Sequence, residues 1–265
     1  MNSNESTHAT GMETVGHENG HSIALKFIIG FVIAALVSTI LVLAIKSSTE
    51  STIQIENPVI EQIVCSQLNI EIGYITKAEA ASITELNLSE AGVEDFSELV
   101  KLPNLHSLDL SNNDYSEIIL PEGLKLESLN ISGNRISDLS FLSSLPTLKT
   151  LTAEDNLLKD ISPLSGLTAL TSINLNGNHI RDIAPIASLT ELEELSVSNN
   201  RLIDISPVSQ LAALKALDLS NNQISDITPI NTLTALESLN LNRNPFEDLS
   251  PIVDLSVVQN GNVTE

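Results

Sequence analysis

Two hydrophobic patterns divide the chain. The first is an unbroken run, Phe27–Ile45 (FIIGFVIAALVSTILVLAI), 19 residues without a charge. The second begins near Ala80, where aliphatic residues recur with a fixed period. The blocks Leu167–Ser188, Leu189–Gln210, Leu211–Thr232 and Leu233–Asp254 are each 22 residues long and follow one template, as in LTALTSINLNGNHIRDIAPIAS and LAALKALDLSNNQISDITPINT. The frame runs back through Leu145–Gly166 and Gly123–Ser144 to a block one residue shorter, Leu102–Glu122, and a degenerate copy, Ala80–Lys101, making eight units. Self-similarity at such a period marks a stacked-repeat architecture, in which no unit buries its apolar face alone.

Within each unit, LxxLxL places two aliphatic residues two apart, Leu217 and Leu219 for example. Both then face one side of a short strand, and Asp218 between them faces the other. One strand per unit gives a parallel sheet with strands about 4.8 Å apart and its aliphatic side turned inward. The intervening column, Asn87, Asp109, Asn130, Thr152, Asn174, Ser196, Asp218 and Asn240, is predicted to be an exposed polar stripe.

Three residues after the last strand aliphatic stands a second column: Asn113, Asn134, Asn156, Asn178, Asn200, Asn222 and Asn244. Here the chain must turn without a partner strand, and an inward carboxamide can supply both donor and acceptor to the backbone of adjacent coils. Later blocks continue Asp-Ile-Ser/Ala/Thr-Pro, which predicts a Ser or Thr N-cap with Pro at the first position of a single 3₁₀ turn. The Asp residues of that motif, Asp138, Asp160, Asp182, Asp204, Asp226 and Asp248, should stack. A calcium ladder is one reading of them; capping of local backbone amides is the ordinary use of Asp at turns.

Upstream, Val59, Ile60, Ile63 and Val64 have helical spacing, and Thr76-Lys-Ala-Glu79 is a capping box opening a second short helix. Cys65 is expected to be a buried apolar residue of the first.

The blocks from Ala80 to Asp254 resemble the 22-residue leucine-rich repeats of bacterial internalin-like surface proteins and of a eukaryotic phosphatase-regulating relative. The resemblance implies an α/β fold, a right-handed leucine-rich-repeat solenoid with a parallel β-sheet on the concave face and short 3₁₀ turns on the convex face. It also implies a helical N-terminal cap. The expected organisation is a disordered polar tail (1–26), a separate transmembrane helix (27–45), a linker (46–56), the cap (57–79), eight repeats (80–254) and a C-terminal tail (255–265). The last 11 residues, LSVVQNGNVTE, are too few for an elaborate C-terminal cap, a departure from internalins, where a further domain usually follows.

As a helix, Phe27–Ile45 would span about 28 Å against a hydrocarbon core of roughly 30 Å. A buried core helix would need a helical domain around it, which the flanking sequence does not supply. A cleaved signal peptide is the stronger competitor, but its leader is normally short, its apolar run about 7–15 residues and its exit marked by small residues. Here the leader is long and the exit reads LAIKSS, so a retained anchor is expected. Lys26 and Lys46 stand one on each side, so the positive-inside rule gives no orientation. Repeats outside the cytoplasm are an expectation that rests partly on the resemblance.

Charge narrows the partners. With 34 acidic residues against 12 basic, the formal charge of −22 repels a polyphosphate backbone, so nucleic acid is excluded as an expected partner. Aromatics make up 3% and Trp is absent, so the interior must be aliphatic. The single cysteine, Cys65, excludes an intrachain disulfide framework and any multi-cysteine metal site.

One catalytic pattern occurs: His17-Glu-Asn-Gly-His21 fits H-E-x-x-H. Zinc hydrolases need those histidines one turn apart on a helix with a third ligand nearby, whereas Asn19-Gly20 disfavours helix, so the match is read as coincidence in a polar tail. The chain has no G-x-S-x-G elbow, phosphate-binding loop or G-x-G-x-x-G turn. No enzyme activity, cofactor, metal or small-molecule substrate is expected. Asn87-Leu-Ser, Asn130-Ile-Ser and Asn262-Val-Thr are glycosylation sequons, relevant only in a eukaryotic secretory pathway.

The expected function is binding of another protein or a glycan on the concave face by a membrane-anchored chain. Candidate contacts are Asp109, Asn130, Asn174, Asp218 and Asn240, with a basic rim from Arg135, His179 and Arg201, which follow the Asn column, and Arg243 beside it. The alternatives are an envelope-tethered spacer and an intracellular enzyme regulator of the phosphatase-associated kind, which requires the reverse topology.

Overall fold

A computed structural model describes residues 51–247, 249–259 and 263–264. The apolar run 27–45, the tail 1–26 with His17 and His21, and Asp248 lie outside the described residues. Among the described residues no helix is long and apolar enough to cross a membrane.

The cap is built from local signals. Strand β1 (Thr52–Ile53) pairs antiparallel with β2 (Ile75–Thr76), so part of the expected linker 46–56 belongs to the cap. Two residues are too short a segment to show an alternating pattern. Between them lies α1 (Pro58–Leu68), which starts where the Asn57 side chain accepts from the backbone N–H of Val59 and Ile60 and Pro58 fixes the first turn. It ends at Asn69, left-handed at φ 54°. Helix α2 (Lys77–Ser82) opens with the capping box: Glu79 N–H donates to Thr76 Oγ1, and Thr76 N–H to the Glu79 carboxylate. Ile60, Val64 and Cys65 of α1 are buried and join the repeat core.

Eight strands follow, one per unit: β3 (Glu85–Asn87), β4 (Ser107–Asp109), β5 (Ser128–Asn130), β6 (Thr150–Thr152), β7 (Ser172–Asn174), β8 (Glu194–Ser196), β9 (Ala216–Asp218) and β10 (Ser238–Asn240). All pair in parallel and in register, so Leu86, Leu108, Leu129, Leu151, Ile173, Leu195, Leu217 and Leu239 lie side by side and buried. A second inward row, from Leu88 through Leu175 to Leu241, is fully buried two residues on. Each side chain contributes about 1.5–3 kcal/mol of burial, and stacking makes the gain repeat with every coil.

Short 3₁₀ helices close most coils on the far side, among them Ser97–Lys101, Ser140–Ser144, Ser162–Gly166, Ala184–Ser188, Ser206–Gln210 and Thr228–Thr232. Each drops one aliphatic residue inward, as Leu164 and Ile186 do. The helices are bulkier than strands about 4.8 Å apart, so the sheet is the inner, concave arc. The short block Leu102–Glu122 has no 3₁₀ helix: its missing residue falls on the outer arc, where Ile118 and Leu120 fill the core from an irregular segment.

Two expectations are corrected. The Ser or Thr before Pro is not the N-cap of the 3₁₀ helix. Ser162 is already its first residue, Ile161 holds the cap position without a side-chain bond, and the Asp160 carboxylate two residues back accepts from Ser162 N–H at 2.8 Å. A tight 3₁₀ start leaves that amide facing backward, where an Asp reaches it and the residue's own hydroxyl does not. The segment 255–265 is also more than a tail. Helix α3 (Ser256–Gln259) buries Val257, and β11 (Val263–Thr264) pairs in parallel with β10, making a nine-stranded sheet. The apolar turn packs Leu255 and Val257 into the core, and the two-residue strand extends the sheet beyond β10.

Candidate concave binding face

Two outward columns form the sheet face. Alternation exposes the residue after each inward strand leucine and the residue before it. The first column is Asn87, Asp109, Asn130, Thr152, Asn174, Ser196, Asp218 and Asn240; the second, which the sequence reading did not single out, is Glu85, Ser107, Ser128, Thr150, Ser172, Glu194, Ala216 and Ser238. The same alternation that located one locates the other. Across β6 to β10 they line a groove of about 590 Å³.

The face is held laterally by side chains. Asn174 donates to the Glu154 carboxylate at 3.2 Å, Ser172 to Glu194 at 3.0 Å, Ser196 to Asn176 at 2.8 Å and Asn240 to Asp218 at 3.0 Å. Other members fold onto their own chain: Asp109 accepts from Ser111 N–H and Asn130 from Ser132 N–H. Side chains fixed before contact lose less entropy on binding. At the entry to the strands, Lys149 pairs with Glu127 at 2.8 Å and Lys215 with Glu193 at 2.7 Å, each bridging one coil to the previous one. The Lys149 hydrogen bond and charge hold the Glu127 carboxyl below its ordinary range, and Glu193 raises the Lys215 ammonium, with Glu237 and Glu194 adding to it.

The Asn column turns inward beneath this face. Asn178 donates to the carbonyls of Ala153, Leu175 and Asn176 and accepts from Leu158 N–H; Asn134, Asn156, Asn200, Asn222 and Asn244 repeat the arrangement. Asn113, the first, accepts instead from Gly92 N–H. One residue earlier runs a column that the sequence reading missed: Glu90, Asn112, Gly133, Asp155, Gly177, Asn199, Asn221 and Arg243, every one with φ between 51° and 66°. Asn, Asp and Gly tolerate this left-handed conformation, and their recurrence there was the available signal.

The basic rim is discontinuous. Arg135, His179 and Arg201 share a column, but exposed Leu157 separates the first two, and Arg135 is engaged by Asp114 at 2.9 Å. Arg243 stands in the left-handed column and donates to Asn221 at 3.3 Å. The Asp column caps the 3₁₀ helices: Asp138, Asp160, Asp182, Asp204 and Asp226 each accept from the N–H two residues on. Those bonds hold the Asp160 carboxyl below its ordinary range, through the Ser162 backbone and then its hydroxyl. Among the described residues no cluster of three or more His, Cys, Asp or Glu could hold a metal ion.

The leucine-rich-repeat family described as "Leucine Rich repeats (2 copies)" matches residues 124–166, 146–188, 168–210, 190–231 and 212–254. Among solved structures, internalin C2 of Listeria monocytogenes is 30% identical with a TM-score of 0.69, over 78% of this chain and 91% of that one. A leucine-rich-repeat protein of Leptospira interrogans is 25% identical with a TM-score of 0.53, over 63% of this chain and 51% of that one. Acidic leucine-rich nuclear phosphoprotein 32 family member A of Drosophila melanogaster is 38% identical over 79 residues, 29% of this chain. That match spans 30% of the curated relative's length. Repeat by repeat, and across nearly the whole of internalin C2, the likeness holds: the chain belongs to the internalin-like leucine-rich-repeat proteins.

Proposed function

We propose that this chain is a non-enzymatic binding protein that captures another protein across its concave sheet face, tethered to a membrane by residues 27–45 with the repeats outside the cytoplasm. The observation that carries the reading is the laterally bonded sheet face, an ordered polar surface repeated over neighbouring strands. Its small hydroxyl and amide side chains lack the Tyr, Trp and Arg that dominate tight interfaces, so a single face binds modestly and many copies on one membrane raise the avidity. The uncharged run 27–45 supports the tether through its length and hydropathy.

A photo-crosslinking residue at Ser196, on the sheet face, tests the docking reading against one at Ser165, on the outer arc. Crosslinks from Ser196 alone are expected; equal capture at both positions removes the concave face as the site, and a glycan captured at Ser196 changes the partner class. Protease added to intact cells tests topology, since degradation of the repeats places them outside. One observation favours a second reading, an intracellular regulator: the 79-residue likeness to a Drosophila nuclear phosphoprotein. Repeats that resist protease until the membrane is lysed would favour it.

A further inference from the structure

The two outward columns of β3 to β10 contain no lysine or arginine, although they hold Glu85, Asp109, Glu194 and Asp218. The acid is not spread evenly around a neutral floor. Ala216 is the one residue of its column without a polar side chain, and it lies directly opposite Glu194 in β8 and two residues before Asp218 on the same side of β9. The two carboxylates therefore flank a small apolar step within the 590 Å³ groove.

Resting on the reading of the sheet face as a docking surface, we propose that this stretch receives a lysine or arginine side chain presented by an extended polypeptide. The aliphatic stem lies on Ala216 and the cationic head between Glu194 and Asp218.

Both carboxylates are already positioned: Ser172 donates to Glu194, while Ser220 N–H and Asn240 donate to Asp218. Lys215, next to Ala216 in the chain, is paired with Glu193 at 2.7 Å. Glu193, Glu194, Asp218 and Glu237 outnumber it, and Lys215 is held above its ordinary range by its bond to Glu193 and by the charges of Glu193, Glu237 and Glu194. A metal ion is a poor fit, because no three ligating side chains converge here among the described residues. A polyphosphate is repelled, and a long side chain with an apolar stem and a charged tip matches both the step and its flanks. From β6 to β10 the groove crosses four strand intervals, about 19 Å, room for roughly six residues of extended chain.

The test is a titration of the full chain with a labelled peptide of repeating Lys-Ser-Gly units and with its Glu-Ser-Gly counterpart, followed by fluorescence anisotropy at low salt. Binding of the lysine peptide alone is expected. The double variant Glu194→Gln with Asp218→Asn, which keeps one acceptor oxygen at each position, should weaken it by about fivefold or more. Glu117→Gln with Glu122→Gln removes as much charge from the outer-arc side and should leave it unchanged. No binding of the lysine peptide, or equal weakening by both double variants, overturns the proposal, the latter by tracing attraction to the net charge of −22. Ser196→Trp fills the groove while leaving both carboxylates in place, and it separates this inference from the wider one. If partner crosslinking, read in this arm from a photo-crosslinking residue at Ser238 of the same groove, is lost in Ser196→Trp and kept in Glu194→Gln with Asp218→Asn, sheet-face docking stands and the cationic partner falls; if it is kept in both, the docking reading falls too.

Discussion

The carboxamide of Asn178 joins its coil to the one before it, accepting the backbone N–H of Leu158 at 3.0 Å while donating to the carbonyl of Ala153 at 2.9 Å. Neither backbone group has a strand partner at that bend. Asn178→Ala should therefore strand the buried Leu158 N–H, leave the Ala153 carbonyl with only its longer bond from Asn156 at 3.3 Å, and cost about 1–3 kcal/mol, read as a lower urea midpoint. Asn178→Asp should cost at least as much, because a carboxylate accepts but cannot donate and is charged in a buried site.

Gly177 sits in the left-handed column at φ +65°, with the Asp155 carboxylate lying over the place a Cβ would occupy. The carboxylate can swing away, so the conformation sets most of the penalty. Gly177→Ala should lower stability by about 1–2 kcal/mol, and Asp155→Gly in the same chain should restore only the steric part. A thermal melt of the single and double variants checks this.

Leu151 is fully buried in the middle of the stack, touching the strand on each side. Leu151→Ala should cost about 2–5 kcal/mol. Because coils interact only with their neighbours, hydrogen exchange should show the protection loss centred on β5, β6 and β7 and fading toward both ends.

Asp95, Asp160 and Asp226 have carboxyls held below the ordinary value of 3.8 by the N–H and hydroxyl groups two residues on. A depressed folded pKa contributes stability that is present above 3.8 and lost as pH falls through the folded value. Protonation also relieves repulsion within a chain of net charge −22, which acts in the opposite direction. Asp160→Asn keeps the acceptor and removes the titration. Its urea midpoint should fall less steeply than the parent's between about pH 5 and pH 2.

The same caps occupy the oxygens that a calcium ladder would need. Millimolar calcium or a chelator should leave the melting temperature of the repeats unchanged, measured by scanning calorimetry. A calcium-dependent rise would require those Asp–amide bonds to be replaced by metal coordination.

Legibility in the sequence followed the length of the signal. The Leu and Asn columns are spaced by the repeat, so Leu108, Leu129, Leu151, Ile173 and Leu195 align as soon as the period is recognised, and the outward residues between strand aliphatics follow from alternation. The left-handed column was harder, because Asn112, Gly133 and Asp155 share a backbone angle rather than a side chain. The short strands β1 and β11 carry two residues each and exist only through their partners. Ser before Pro is ordinarily a cap signal; here the tighter 3₁₀ start transfers that task to Asp160. Glu194 and Ala216 stand before the strand aliphatics, in a column whose mix of Ser, Thr, Glu and Ala carries no repeated residue type to mark it.

The block Leu102–Glu122 gives up a residue and a whole 3₁₀ helix, yet β4 and β5 pair without a slip. The sheet thus acts as the ruler of this molecule and the opposite rim as its slack. Extra chain spliced between Ser116 and Gly123 would be paid out on the side away from the strands, where a label or a second module could be carried with the recognition surface left in register.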